Sequence, residues 1–215
     1  MRSRRSATSL VSQSSLLHLL ALLPLVLLLW DVAWGNLSAN PYQDLLKRTG
    51  SDAMILLLLS LAATPVFIIT GFKEARKMRK VLGLYAFLYT AIHVFVYVGL
   101  DYAWDWGLIG NEILTKPAPK AGAAAFIILL LLTITSTKGW QKRLKKNWIR
   151  LHKWVYVAGV LIMLHFIWVQ KSDITRPLLW TALLLLLLSV RIPVIRRWFS
   201  QRRSRRITAR QRISP

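Results

Sequence analysis

The chain has 215 residues, of which 55% are hydrophobic, and its long apolar runs exclude an ordinary soluble domain. Its 30 lysines and arginines far outnumber its 8 aspartates and glutamates. These basic residues fall in short blocks between apolar runs, so they indicate membrane topology rather than nucleic-acid binding. The absence of cysteine excludes disulfides, thiolate-held iron–sulfur clusters and cysteine-attached haem.

Six apolar spans are predicted along the chain. A helix needs about 20 apolar residues to cross a bilayer, where every backbone polar group must be paired. The sequence therefore predicts an all-α integral membrane protein, a six-transmembrane-helix bundle. The spans are 16–34, 51–72, 81–100, 122–137, 151–169 and 177–198. They form one transmembrane domain, 16–198, between a basic N-terminal tail, 1–15, and a basic C-terminal tail, 199–215.

The first span has two interpretations. A basic start followed by an apolar run is also typical of a cleaved signal peptide. The run from Leu16 to Trp30 is long for that purpose, and Trp30, Asp31 and Trp34 make a poor cleavage site. We therefore expect the first helix to be retained.

Charge alternates between the segments that connect the spans. Basic residues concentrate in both tails and in the segments after spans two and four, whereas acids lie at the other ends of the spans. Lysine and arginine mark the cytoplasmic loops of membrane proteins. We therefore expect both termini to be cytoplasmic, and the C-terminal tail to be disordered and attracted to anionic membrane lipid.

Four histidines are the main candidates for chemistry, namely His18, His93, His152 and His165. An ionisable side chain within a span is unfavourable unless it is paired or ligated. His93 follows Lys80 by 13 residues and His165 follows Lys153 by 12, so both should lie at one depth on parallel helices. Two imidazoles that face each other can hold one haem iron. The alternative for each is a neutral imidazole hydrogen-bonded to a neighbouring helix.

His152 and Arg79 lie nearer the cytoplasmic side. His152 is about 20 Å from His165 along an ideal helix and on a different face. No histidine lies at its depth on span three, so a second haem at His152 is left open. Arg79 is at the matching depth, where it could pair with a haem propionate or a flavin phosphate. The alternative is that Arg79 only marks topology.

The sequence gives weaker evidence for other functions. No Gly-rich dinucleotide-binding motif appears, and Asp101, Asp105 and Glu112 are better explained as solvated acids than as a metal cluster. A small transporter or channel is the main alternative function, but its paired acids at the bilayer midplane are absent. A simple membrane anchor needs no histidines at matched depth. No internal repeat is apparent.

Several segments together carry a family signature. They are residues 82–89 leading to His93, then Tyr97 and Asp101; 49–50, 60–61 and 64–65; 135–137; and Trp148, 151–152, Tyr156, 165–166, Trp168 and Lys171. They resemble the MsrQ (YedZ) family of haem-binding membrane subunits, within the ferric-reductase-like transmembrane superfamily. The resemblance covers about residues 45–190. Arg79–Lys80 stands where that family usually has two arginines.

The resemblance implies one or two b-type haems between helices three and five, with FMN as a further cofactor. It implies that electrons come from the quinone pool or a cytoplasmic flavin reductase. They pass to MsrP, the periplasmic molybdopterin subunit that reduces methionine sulfoxide, for repair of oxidised periplasmic proteins. The chain would then be an electron-transfer subunit of the bacterial inner membrane, not catalytic on the final substrate by itself. The residues after the last span are too few for a soluble flavin or nicotinamide domain, which needs about 100.

Overall fold

The computed structural model describes residues 2–170, 173–195, 197, 198 and 201, with side chains from Ser15 onward. These residues are mostly helical and contain no strand. The helices are α1 (Arg2–Ala33), α2 (Pro41–Thr70), α3 (Lys73–Phe95), α4 (Trp106–Thr115), α5 (Pro117–Ile134), α6 (Lys138–Leu144), α7 (Lys146–His152), α8 (Trp154–Val169) and α9 (Thr175–Ser189), and a π-helical turn, Val96–Asp101, follows α3. The predicted C-terminal tail, apart from residue 201, and Lys171 lie outside the described residues.

The helices confirm an all-α, multi-pass membrane protein. Within the described residues, five helical segments are long and apolar enough to span a bilayer, and the sixth apolar helix, α9, is shorter. Three helices begin well before the predicted spans, the first of them α1, which begins at Arg2 within the predicted N-terminal tail. α2 begins at Pro41, because Asn40 caps it by accepting a hydrogen bond from the Gln43 N–H at 3.2 Å. α3 begins at Lys73, because the basic segment continues the helix beyond the apolar residues that hydropathy detects.

The ends of the spanning helices gather in two groups. The basic end of the bundle carries residues 73–80 and 138–153. The acidic end carries Asp31, Asp44 and residues 101–116. α2 packs along α3 as one antiparallel pair, α5 packs along α8 as another, and α3 also contacts α5. These two helix pairs form the centre of the bundle.

Tyr89 ties α1 to this centre through the backbone of α1. The side chain of Tyr89 is fully buried. Its hydroxyl donates to the Ala21 carbonyl at 2.8 Å and accepts from the Leu25 N–H at 2.9 Å. Those two groups would ordinarily bond each other, four residues apart in a helix. Both groups lie within one turn of Pro24, which lacks a backbone N–H, and the Tyr89 hydroxyl contacts both of them.

We predict that Tyr89→Phe destabilises the protein by about 2 kcal/mol, because it removes two buried hydrogen bonds between α3 and α1, each contributing about 1 kcal/mol. Thermal unfolding in detergent measures the change. The control is Tyr85→Phe, which removes an exposed hydrogen bond of 2.8 Å to His18 and should alter stability by less than about 0.5 kcal/mol. Equal effects of the two substitutions would contradict the bridging role of Tyr89.

Candidate functional site

The structure brings His93 and His165 together near the acidic end of the bundle. His93 lies on α3 and His165 lies on α8, so the two central helix pairs supply one imidazole each. The ring centroids are 6.2 Å apart and the ring planes are at 89°. Both side chains are half-buried.

A backbone carbonyl on the neighbouring helix orients each imidazole. Nδ1 of His93 donates to the Leu46 carbonyl at 3.0 Å, and Nδ1 of His165 donates to the Ala118 carbonyl at 2.8 Å. A carbonyl oxygen can only accept, so in a neutral ring the proton is on Nδ1 and the lone pair is on Nε2. Histidines that bind metals are commonly oriented in this way by the partner of the other ring nitrogen.

The spacing of the two rings fits one metal ion between them. A bond from a metal to an imidazole nitrogen is about 2 Å long and the centroid lies about 1 Å beyond, so two such rings have centroids about 6 Å apart. No group of three or more His, Asp or Glu side chains able to hold a metal occurs in the described part of the chain. A metal held by this pair must therefore bring its other ligands with it, as haem iron does.

His152 and Arg79 lie elsewhere, at the basic end of the bundle. They line a cavity of about 340 Å³ that α2, α3, α5 and α8 enclose together with α6 and α7. Arg76 and Lys80 also line this basic cavity, and none of the described side chains that line it is acidic. The unbalanced positive charge favours an anionic ligand.

His152 is positioned by the short helix α7. Its ring stacks on Trp148 with centroids 3.9 Å apart, and its Nδ1 donates to the Trp148 carbonyl at 3.2 Å. Nε2 of His152 lies 3.4 Å from the Ser136 hydroxyl. The structure does not pair this imidazole with another, since His18 instead contacts Tyr85.

The acids at the other end of the bundle have structural partners. Asp105 caps α4 by accepting from the Leu108 N–H at 2.9 Å. Glu112 pairs with Lys116 at 2.6 Å, and this hydrogen bond raises the pKa of Lys116. Asp105 and Glu112 thus have structural roles, as a helix cap and as a member of an ion pair.

Sequence reasoning overlooked three groups that the structure places in functional positions. The Leu46 and Ala118 carbonyls orient the imidazoles, but backbone acceptors leave no mark in a sequence. The guanidinium of Arg191 donates to the Tyr156 hydroxyl and to the Leu61 carbonyl at 2.6 Å, which ties the end of α9 to α8 and α2. The signal for Arg191 was its isolation within an apolar stretch, apart from the arginines of the tail.

Comparison with known proteins adds to this geometry. Residues 49–163 match the family described as the ferric reductase like transmembrane component. A protein of Xanthomonas euvesicatoria is 40% identical over 98% of this chain and 97% of its own length. One of Rhodospirillum rubrum is 41% identical over 82% of this chain and 86% of its own. Both are named protein-methionine-sulfoxide reductase heme-binding subunit MsrQ. The chain belongs to the MsrQ family, within the ferric-reductase-like transmembrane family.

Membership of the MsrQ family confirms the resemblance seen in the sequence. The match to the Xanthomonas protein extends over nearly the full length of both chains, so it includes the two central helix pairs and the basic cavity. No solved structure matches the chain.

Proposed function

We propose that this chain is a haem b subunit that carries electrons across the bacterial inner membrane to a methionine-sulfoxide reductase. The observation that carries the proposal is the His93–His165 pair, with centroids 6.2 Å apart and both Nδ1 atoms bound to carbonyls. The names of the relatives, which describe heme-binding subunits of that reductase, support it.

In this proposal, Nε2 of His93 and Nε2 of His165 would hold the haem iron. Haem bound there would supply one-electron transfer between ferric and ferrous iron. In this proposal both ligands are neutral, and the Leu46 and Ala118 carbonyls fix their direction. Neutral imidazoles add no charge that must be desolvated, so a bilayer tolerates them.

The distribution of charge supports a direction for the electrons. Lysine and arginine favour the cytoplasmic side, so the basic end faces the cytoplasm and the His93–His165 pair lies nearer the periplasm. Electrons enter at the basic end from the quinone pool or a cytoplasmic flavin reductase. They leave to a periplasmic MsrP-type molybdopterin subunit, which reduces methionine sulfoxide in oxidised proteins.

The basic cavity is the proposed site of FMN. Its volume of about 340 Å³ falls within the range of cofactor pockets. Arg79, Arg76 and Lys80 supply cations for a phosphate, and His152 and Trp148 supply flat rings beside it. Because His152 lacks a histidine partner, we propose one haem and one flavin rather than two haems.

The axial ligands are tested by single substitutions. His93→Ala and His165→Ala should each abolish the low-spin haem or leave it high-spin, and should stop electron delivery to the periplasmic partner. His152→Ala should spare this haem, and so should the control His18→Ala, because His18 contacts Tyr85 instead. Haem per protein and the EPR spectrum report the outcome. A normal low-spin signal in both His93→Ala and His165→Ala, or a colourless wild-type protein from haem-replete cells, would refute the proposal.

The flavin site is tested by removing one cation. Arg79→Gln should weaken FMN binding about 10-fold or more, the effect of one charge-assisted hydrogen bond, while the haem spectrum stays unchanged. Fluorescence of FMN released from the purified protein measures the loss. The matched control is Lys77→Gln, which removes the same charge from α3 outside the cavity. Equal FMN content in the two variants would place the flavin elsewhere.

The orientation is tested with single cysteines, which the cysteine-free chain makes specific. Asn111→Cys at the acidic end should react with a membrane-impermeant maleimide in intact spheroplasts. Gly139→Cys at the basic end should react only after permeabilisation. Both positions are exposed, and Gly139 has no atom within 4 Å of an added Cβ. The reverse pattern of labelling would invert the proposed direction of electron transfer.

A further inference from the structure

Each of the two central imidazoles lies against a glycine of the neighbouring helix. A Cβ added to Gly50 would lie 3.1 Å from Nδ1 of His93, and one added to Gly122 would lie 2.9 Å from Nδ1 of His165. Both distances are shorter than ordinary van der Waals contact. An alanine at either position would therefore displace the ring that faces it.

The same glycines expose the carbonyls that orient the rings. Leu46 lies four residues before Gly50, and Ala118 lies four residues before Gly122. Side chains on a helix lean toward its N-terminus and cover the preceding turn. A side chain at either glycine would thus cover the carbonyl to which the imidazole donates. Neither glycine has the positive φ that would require glycine for backbone reasons, and within a helix alanine is otherwise preferred.

The two histidines, with the glycines and carbonyls that they contact, have the same spacing in the sequence. His93 follows Leu46 by 47 residues, and His165 follows Ala118 by 47 residues. Ala118, Gly122 and His165 each lie 72 positions after their counterparts Leu46, Gly50 and His93. The same offset of 72 positions relates three pairs of identical buried residues. These pairs are Ala53 and Ala125, Leu57 and Leu129, and Ala86 and Ala158. The site therefore contains an internal repeat, contrary to the expectation from the sequence, where alanine and leucine are too common to reveal it.

We infer that Gly50 and Gly122 are positioning residues for the two iron ligands, in a haem site made of two copies of the same helix pair. This inference rests on the proposed role of His93 and His165 as axial ligands. Each glycine lets its imidazole reach the carbonyl, and this contact sets both the direction of Nε2 and the plane of the ring. Together the copies hold the planes nearly perpendicular, at 89°.

The full-length holoprotein in detergent allows a spectroscopic test. Perpendicular axial imidazoles give a ferric low-spin haem with larger g-anisotropy than parallel ones. Gly50→Ala and Gly122→Ala should therefore shift the largest g value. They should also raise the haem midpoint potential, because a weaker Nδ1–H bond makes the ligand less electron-donating and disfavours ferric iron. Gly122→Ala should have the larger effect, since its Cβ approaches the ring more closely.

The control for this test is Gly159→Ala. Gly159 is a buried glycine of α8 whose added Cβ would meet only ordinary contacts, the nearest being Leu184 at 3.5 Å. This variant should have the wild-type EPR spectrum and potential. If Gly50→Ala and Gly122→Ala also leave both unchanged, while His93→Ala and His165→Ala lose the low-spin haem, the positioning role is wrong and the proposed function stands.

A double-mutant cycle tests the same inference without the spectrum of the haem. Gly122→Ala should lower the Tm by a few degrees in the wild type and in His93→Ala, but not in His165→Ala, where the opposing ring is absent. Gly50→Ala should show the reverse dependence. A matched pair combines a glycine variant with the variant of the histidine that it faces, and a crossed pair combines it with the other histidine variant. Both histidine variants lose the haem, so the effect of that loss on the Tm cancels when matched and crossed pairs are compared. If the change in Tm depends equally on both histidines, the inference is overturned. This comparison needs no bound haem, so it also applies to glycine variants that lose the haem.

The two hypotheses can fail separately. Retention of the low-spin haem in both histidine variants would refute the proposed function. Coupling confined to the matched pairs would then still show that each glycine positions its imidazole, but the imidazoles would not be iron ligands, and the inference about the haem would fall with the proposed function.

Discussion

Hydrocarbon offers no hydrogen bonds, and this constraint shapes the polar side chains that lie between the described helices. His93, His165 and Tyr89 each donate to a carbonyl of a neighbouring helix. Such a carbonyl is normally covered by a side chain of the following turn of its own helix. A neighbouring helix can therefore reach it only where that side chain is missing or displaced. In α2 and α5 a glycine leaves out the side chain that would cover the carbonyl, and in α1 the carbonyl lies within one turn of Pro24.

The bonds that satisfy this constraint also determine the chemistry of the site. A neutral imidazole that donates a hydrogen bond from Nδ1–H to a carbonyl has its lone pair on Nε2. With two such rings facing each other, the pair is arranged for one metal that carries its own remaining ligands. The cations of the basic cavity are satisfied differently, because Arg76 and Lys80 are exposed and water can solvate their charges. The molecule thus separates a neutral site near one end from a cationic site at the other.

The sequence allows part of this arrangement to be predicted. Hydropathy locates the six apolar helices, and counting from the basic segments places His93 and His165 at one depth. It does not detect the first turns of α2 and α3, since these are polar and extend past the apolar residues. The acceptors of the two imidazoles are unpredictable for a different reason, because every residue has a carbonyl. Gly50 and Gly122 are visible but resemble ordinary small residues of membrane helices.

The internal repeat explains why the two ends of the bundle differ. The two copies of the helix pair each supply one imidazole, so similar groups face each other across the centre of the bundle. At the acidic end the copies agree, with His93 matching His165. At the basic end they diverge, because the counterpart of His152, 72 positions earlier, is Lys80. A lysine beside Arg79 cannot complete a neutral pair of imidazoles, but it adds charge that attracts an anion. This divergence is consistent with the proposal of one haem and an anionic cofactor at the basic end.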